Sequence, residues 1–447
     1  MAYNAIVTRL KNVRPHENAN KLKLATCHGN QIVIGLDEAE DALGVFFPSD
    51  GQLSHEFCHA NNLYRDEQQN IDPKATPGMF DLNRRVRAQR LRGEISDGFW
   101  VRLDAFKFIY KKGEIPLVEG YEFDTLEKVP ICSKYINPAT AKIAHENQKK
   151  TKTSKKSIMF KEHYDTSHLG PNLFQFKEDD VFTITEKVHG TSGRIGNVLS
   201  DRKLSFIEKL AKLVGVKVNE FEWGYLNGTR RVVIGESKGT QFHDPTIRDK
   251  AMKLFEGTLR KGETAYFEIV GFETTGASIM PSVATAKLED KEFTKQYGPI
   301  MTYKYGCAEK ESDIYLYRMT ITNEDGQSYD YSWDDLVKRA KEMGVKTVPF
   351  LLRTSMKELH LKNTMNPDSS IGEDYDEEGA KALLMSLADK LCKGPSTIDP
   401  QHIREGIVVR IDSGFTNKSY KHKSFEFKVL EGIVKDSGVV DAEEAEG

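Results

Sequence analysis

An α+β fold in two parts is what the sequence predicts: a small β-barrel over residues 1–130, then a larger core over 161–435 that alternates strands with helices. Three observations predict it. Short β-branched and aromatic runs crowd the first part, each closed by turn residues. Apolar residues at helical spacing enter in the second part. Between them, residues 131–160 lose their apolar periodicity and gain lysine.

The elements follow in order. Ala5-Ile6-Val7-Thr8, Gln31-Ile32-Val33-Ile34-Gly35, Leu43-Gly44-Val45-Phe46-Phe47 and Gly98-Phe99-Trp100-Val101 read as strands, and Pro48-Ser49-Asp50-Gly51 as a turn. Pro138 to Ala141 and then Gln148-Lys149-Lys150-Thr151-Lys152-Thr153-Ser154-Lys155-Lys156-Ser157 read as a basic linker or exposed arm. In the core, Ser332 is placed to cap a helix over 333–342 that Gly344 stops. A second helix over 377–393 carries Ala380, Leu383, Leu384, Leu387 and Leu391 on one face. Both are packing elements. Residues 436–447 read as an acidic, solvated tail, and no internal repeat occurs.

Composition narrows the function. The 447 residues are 38% hydrophobic and 29% charged with a net charge of −3, ordinary for a globular protein of two or three domains. No apolar run reaches the ~20 residues of a membrane span, and the N-terminus has no secretion-signal pattern. Five scattered cysteines without a C-x-x-C pair argue for a reducing interior, cytoplasmic or nuclear, and against a zinc site. The near-neutral total hides segregation. Arg84, Arg85, Arg87, Arg90 and Arg92 crowd one stretch and the linker lysines another, while acids gather at Glu373 to Glu378 and in the tail. Alone, a basic run is a solvated face; beside nucleic-acid chemistry it becomes a track for phosphates.

That chemistry is carried by Thr185-Glu186-Lys187-Val188-His189-Gly190-Thr191, where an apolar strand delivers a lysine into a glycine turn. Downstream come Phe267-Glu268-Ile269-Val270-Gly271, Ile314-Tyr315-Leu316-Tyr317-Arg318-Met319, Glu405-Gly406-Ile407-Val408-Val409-Arg410 and Lys421-His422-Lys423-Ser424. This order of elements resembles the covalent nucleotidyltransferases, the superfamily of polynucleotide ligases and capping enzymes, and within it the ATP-dependent RNA ligases. The resemblance implies a core of two antiparallel sheets around an ATP pocket. His16-Glu17-Asn18-Ala19-Asn20-Lys21-Leu22 and Arg92-Gly93-Glu94-Ile95-Ser96-Asp97-Gly98 resemble the paired motifs of OB-type tRNA-binding modules. They imply an OB-like barrel that binds nucleic acid through Arg84, Arg85, Arg87, Arg90 and Arg92, or else turns that any such barrel needs.

By resemblance, Lys187 attacks the α-phosphorus of ATP and carries AMP. A lysine, with an ordinary pKa near ~10.4, must be neutral to do so, and nearby cations or burial favour that form. Glu186, Val188 and His189 surround the nucleotide, and Glu268 holds the ribose. Tyr317 stacks on adenine, with Tyr315, Tyr303 and Tyr305 as rivals in suitable strands. Glu405 engages magnesium or manganese, ions that take few protein carboxylates. Lys421 and Lys423, alternating on a strand, face the α-phosphate, with Lys428 a rival if the register shifts. Lys238 stands where ligases often have arginine, a point charge in place of a planar fork.

Capping enzymes and DNA ligases usually have aspartate where His189 stands, and a C-terminal OB domain for which few residues remain after Lys423. The implied activity is therefore ATP-dependent joining of 3′-OH and 5′-phosphate RNA ends, at nicks in a duplex, by a monomer. A DNA ligase is the nearest alternative. A capping-type guanylyltransferase and a non-catalytic RNA-binding protein on a ligase scaffold are further ones.

Overall fold

The computed structural model describes residues 3–111, 115–150, 157–163, 165–234, 245–364, 375–412, 414, 416 and 418–439. The chain forms two compact units: Met1–Ile136 with Lys428–Ile433, and Asn137–Phe427 with Val434–Gly447.

In the first unit, Ala5–Arg9, Leu43–Phe47, Phe99–Arg102 and Glu122–Phe123 make a four-stranded antiparallel sheet. Lys11–Pro15, Leu22–Cys27 and Asn30–Gly35 make a three-stranded one. Strand alternation supplies two cores. Val7, Val45 and Phe47 pack with Phe57, Phe106 and Phe123, while Phe46 and Trp100 pack with Ala25, Ile32 and Ile34.

The expected barrel is not a closed one: among the described residues the ladders do not join into a ring. Asn30–Gly35 meets the hairpin of Ala88–Leu91 and Glu94–Asp97 through side chains, with Gln31 Nε2 donating to Ile95 O at 3.1 Å and Val33 N to Ser96 Oγ at 3.1 Å. Side chains occupy the place of main-chain partners, so the seam stays open. The two OB-like motifs do meet. His16 Nδ1 accepts from Asn18 N, which leaves Nε2 to donate to Leu91 O at 3.0 Å, and Asn18 Nδ2 donates to Arg92 O.

Residues read as a linker contain ordered structure. Cys132–Lys134 pairs with Gly51–Leu53, and Pro138–Lys150 is a helix whose first turn is capped by Asn137, Oδ1 accepting from Thr140 N at 2.9 Å. Alanine, lysine, glutamate and glutamine favour helix without an apolar stripe, which is why periodicity missed it. Residues 151–156 and 440–447, where part of the lysine run and the tail fall, lie outside the described residues.

The described residues of the second unit hold two large, mainly antiparallel sheets and a two-stranded ribbon of Val283–Ala284 with Ile300–Met301. One has five strands in the order Ser167–His168, Lys418–Lys423, Gly406–Ile411, Val181–Lys187, Phe350–Ser355. The other is built around Thr191–Asp201, Glu263–Gly271 and Ser312–Thr322, and every residue of Glu263–Gly271 is buried. The two expected helices are Trp333–Met343, capped by Ser332 and ended by Gly344 at φ +69°, and Glu377–Leu391, capped by Asp376. Ala380 and Leu384 are buried among Phe182, Ile184, Ile407 and Val409 of the five-stranded sheet. Helix Phe206–Leu213 differs: it buries none of its side chains, and Phe206 and Leu213 are 78% and 86% exposed. Its hold is local, a capping box of Ser205 and Glu208 with Arg202 paired to Glu208.

Candidate active site

Lys187 ends a strand of one sheet and Thr191 begins a strand of the other, so Val188-His189-Gly190 is the crossover between them. Glycine is required there: a Cβ on Gly190 would stand 2.4 Å from Ile269 O. In the five-stranded sheet Gly406 is the register partner of both Lys187 and Lys423. A Cβ on Gly406 would meet His422 O at 2.2 Å, so this row closes only around glycine. Directly opposite residues share a face of a sheet, so Lys187 and Lys423 flank Gly406 on one side. Lys421, two residues back and opposite Val408, lies on that face too.

Glu405, just before Gly406, is the hub. Its Oε1 lies 2.8 Å from Lys187 Nζ and 3.1 Å from Lys423 Nζ. Its Oε2 faces His189 Nδ1 at 3.5 Å, too long for a good hydrogen bond, and has no hydrogen-bond partner among the described residues. Burial pushes the Glu405 carboxyl up, but the charges of Lys187 and Lys423, with His189 beside them, prevail and hold it well below the usual carboxylate range. Glu405 is therefore a persistent anion.

His189 is held from several sides. Its N–H donates to Tyr305 Oη at 2.6 Å, and its ring meets Tyr303 and Phe427 edge-on, each at 4.8 Å. Tyr305 in turn donates its N–H to His402 Nε2 at 3.3 Å, and Gly306 N donates to Asp399 Oδ2 at 3.1 Å. Burial keeps the His402 imidazole below its ordinary pKa, hence neutral and able to accept. The expected strand through Tyr303 and Tyr305 is corrected: beyond Ile300–Met301 the chain turns, with φ +51° at Tyr305 and +73° at Gly306. These tyrosines support the nucleophile turn and are not placed as strand aromatics. The sequence reading missed Tyr305, His402 and Asp399 in this role.

Glu268 is the direct cross-strand partner of Ser192 and of Tyr315, and its Oε1 accepts from Ser192 Oγ at 2.8 Å. Tyr317 sits at a β-bulge, half-buried, its ring 5.0 Å from His163. Register thus brings Tyr315, more than Tyr317, beside Glu268. Glu186 is buried; Oε2 accepts from Thr397 N and Oγ1 at 2.8 and 2.6 Å, while Oε1 has no hydrogen-bond partner among the described residues. Val188 is buried. Lys238 lies outside the described residues.

Lys428 is corrected as a rival to Lys423. It lies on helix Phe425–Asp436, not on a strand, and its Nζ bonds Asp97 Oδ2 at 2.5 Å. The arginines divide. Arg85 is buried, donating to Gly432 O at 2.7 Å, facing Asp50 at 3.5 Å and lying over the Tyr135 ring, so its reading as a phosphate contact is corrected. Arg84 donates to Leu53 O and Leu82 O, and Arg87 pairs with Asp81 at 2.8 Å. Arg90 and Arg92 are exposed on the hairpin at Gly93.

Residues 180–430 match the model of a family described as RNA ligase. Among solved structures, the fold is similar to Naegleria gruberi RNA ligase. A lysine-to-alanine variant with ATP and manganese gives a TM-score of 0.54 at 16% identity, over 96% of this chain and 98% of that one. The same ligase with pyrophosphate gives 0.53 at 17%, over 97% and 98%. A glutamate-to-alanine variant with AMP and manganese gives 0.54 at 18%, over 95% and 97%. No match was found among curated protein sequences. Among the described residues no helix is long and apolar enough to cross a membrane.

Proposed function

The chain belongs to the RNA ligase family, and we propose that it seals 3′-OH and 5′-phosphate RNA ends, at nicks in a duplex, using ATP and a divalent metal. The observation that carries this reading is the single carboxylate of Glu405 shared by Lys187 and Lys423 beside His189. In the first step Lys187 Nζ, after losing a proton, attacks the α-phosphorus; an N–P bond forms and the bond to pyrophosphate breaks. In the second, a 5′-phosphate oxygen displaces the lysine, giving a polynucleotide 5′-adenylate. In the third, the 3′-OH attacks that 5′-phosphorus and AMP leaves.

Glu405, held as an anion, is a poor base. Its part is to fix the two lysines at the crossover, where Lys423 and Lys421 offset charge growing on the phosphate. The Glu405 oxygen without a hydrogen-bond partner fits a hard ion such as magnesium or manganese, which when bound neutralises phosphate charge. Glu268 and Ser192 offer acceptor and hydroxyl for a ribose, Tyr315 or Tyr317 a ring for adenine, and Glu186 Oε1 an acceptor for an amino group. Arg90 and Arg92 are the phosphate contacts of the first unit, which we read as its RNA-binding module.

Incubation with labelled ATP and magnesium, then denaturing electrophoresis, tests the first step. Label on the full chain and none on Lys187→Ala is expected, with an acid-labile, alkali-stable bond. Undiminished labelling of the variant moves the nucleophile elsewhere; no labelling of the intact chain favours a binding protein. A nick whose 3′-OH strand ends in ribonucleotides is expected to seal faster than an all-DNA nick, because the 2′-OH marks RNA locally. Equal rates favour a DNA ligase.

A further inference from the structure

Behind the catalytic strand lies a second group of metal-ligating side chains. His422 sits between Lys421 and Lys423, and strand alternation turns it to the opposite face of the sheet. There its Nε2 lies 2.7 Å from Asp389 Oδ1. Asp389 and Cys392 are three residues apart at the end of helix Glu377–Leu391, with Cys392 as its C-cap, so both present to the same side. One donor atom from each of Asp389, Cys392 and His422 lies within 4.8 Å of the other two. His422 and Cys392 are buried, while the Asp389 side chain is 46% exposed and leaves a path to solvent.

We propose that Asp389, Cys392 and His422 form a zinc-binding site, with a fourth position open to water. The donor set selects the metal. A thiolate and an imidazole are poor ligands for magnesium or calcium, whereas sulfur, nitrogen and one carboxylate oxygen suit zinc, which uses three protein ligands where one position stays open. Zn–N and Zn–O bonds of about 2.0–2.1 Å and a Zn–S bond of about 2.3 Å require donors some 3.3–3.6 Å apart in a tetrahedron. The trio reaches that by opening the 2.7 Å Asp389–His422 hydrogen bond and drawing in separations that nowhere exceed 4.8 Å. The thiol proton is released on binding, so affinity rises with pH. Occupancy would tie the last turn of the helix to the strand that bears Lys421 and Lys423.

The test uses cobalt(II), which replaces zinc and reports its ligands, on the intact reduced chain with magnesium in excess. One equivalent is expected to give tetrahedral d–d bands and a sulfur-to-cobalt charge-transfer band, both displaced by zinc. Cobalt held by oxygen donors near Glu405 gives no sulfur band, so the outcome does not depend on the ligase reading. Cys392→Ser is expected to remove the band and Cys307→Ser, at the half-exposed cysteine, to leave it. Asp389→Asn, at a partly exposed side chain, is expected to weaken zinc by more than about tenfold in competition with a chelator. Absence of the band, its survival in folded Cys392→Ser, or unchanged zinc affinity in Asp389→Asn would overturn the proposal.

Discussion

Two sets of basic residues have opposite fates in the two units. The arginines from Arg84 to Arg92 are neighbours in sequence, yet four of the five bond within their own unit, Arg85 to Gly432 O, Arg84 to Leu53 O, Arg87 to Asp81 and Arg90 to Gly93 O across its own turn. Lys187 and Lys423 are far apart in sequence, yet both reach one carboxylate because Gly406 is register partner to each. Proximity along the chain made a cluster of charge; adjacency in a sheet made a site. A buried guanidinium has to be satisfied where it lies, so it is no longer available to a ligand.

The largest effect that sharpens this contrast is expected at the hub. Glu405→Ala and Lys423→Ala should each slow adenylylation by ~10²–10³, the usual loss for one electrostatic stabiliser, while Lys428→Ala leaves the rate largely intact. Single-turnover label transfer measures all three. Dependence on Lys428 and indifference to Lys423 would break the register argument.

Next comes Arg85→Ala. Losing charged hydrogen bonds in a buried position should cost about 2–3 kcal/mol in denaturant unfolding, with no change in the salt dependence of RNA binding. A change in that dependence would return Arg85 to the RNA-contacting set.

A pH series resolves the hub further. Glu405 has a lowered folded pKa, so its contribution to stability is present above the ordinary carboxylate value of ~4.3 and lost as pH falls toward the folded value. The difference in unfolding free energy between the intact chain and Glu405→Gln should therefore shrink on going from about pH 6 to about pH 3. A constant difference would mean that Glu405 is not an anion stabilised by its lysines.

The smallest effects are expected at the exposed hairpin. Arg90→Ala and Arg92→Ala should change stability by less than about 0.5 kcal/mol and each flatten the salt dependence of RNA binding by roughly 0.7–0.9. Unaltered slopes would leave the first unit without its proposed phosphate contacts. Substitutions test this better than truncation near Lys161, which would strip Lys428–Ile433 of the unit they belong to.

Much of the site was legible because strand motifs encode it locally: Lys187 before a glycine turn, Glu405 before Gly406, Lys421 and Lys423 at period two. Capping residues likewise marked the helices at Ser332 and Gly344. What stayed hidden was carried by loops without periodicity. Tyr303-Lys304-Tyr305 alternates as a strand would, and nothing local reveals that His402 and Asp399 hold the turn there. Ser192 and Thr397, partners of Glu268 and Glu186, belong to no motif. Helix Pro138–Lys150 was missed because intrinsic propensity, not an apolar face, marks it.

Helix Phe206–Leu213 makes the catalytic unit divisible. Because no side chain of the helix is buried, local opening there costs little, and Lys209 and Lys212 become natural points for trypsin. The excursion leaves and rejoins the sheet at neighbouring positions, Asp201 opposite Phe221, so a cut inside it spares every rung of that ladder. The halves would remain associated until denatured, with Lys187 on one and Glu268, Glu405 and Lys423 on the other, joined by the ladders to Gly406–Ile411 and Glu263–Gly271. Nicked protein labelled with ATP and then denatured should carry the label on its N-terminal fragment alone.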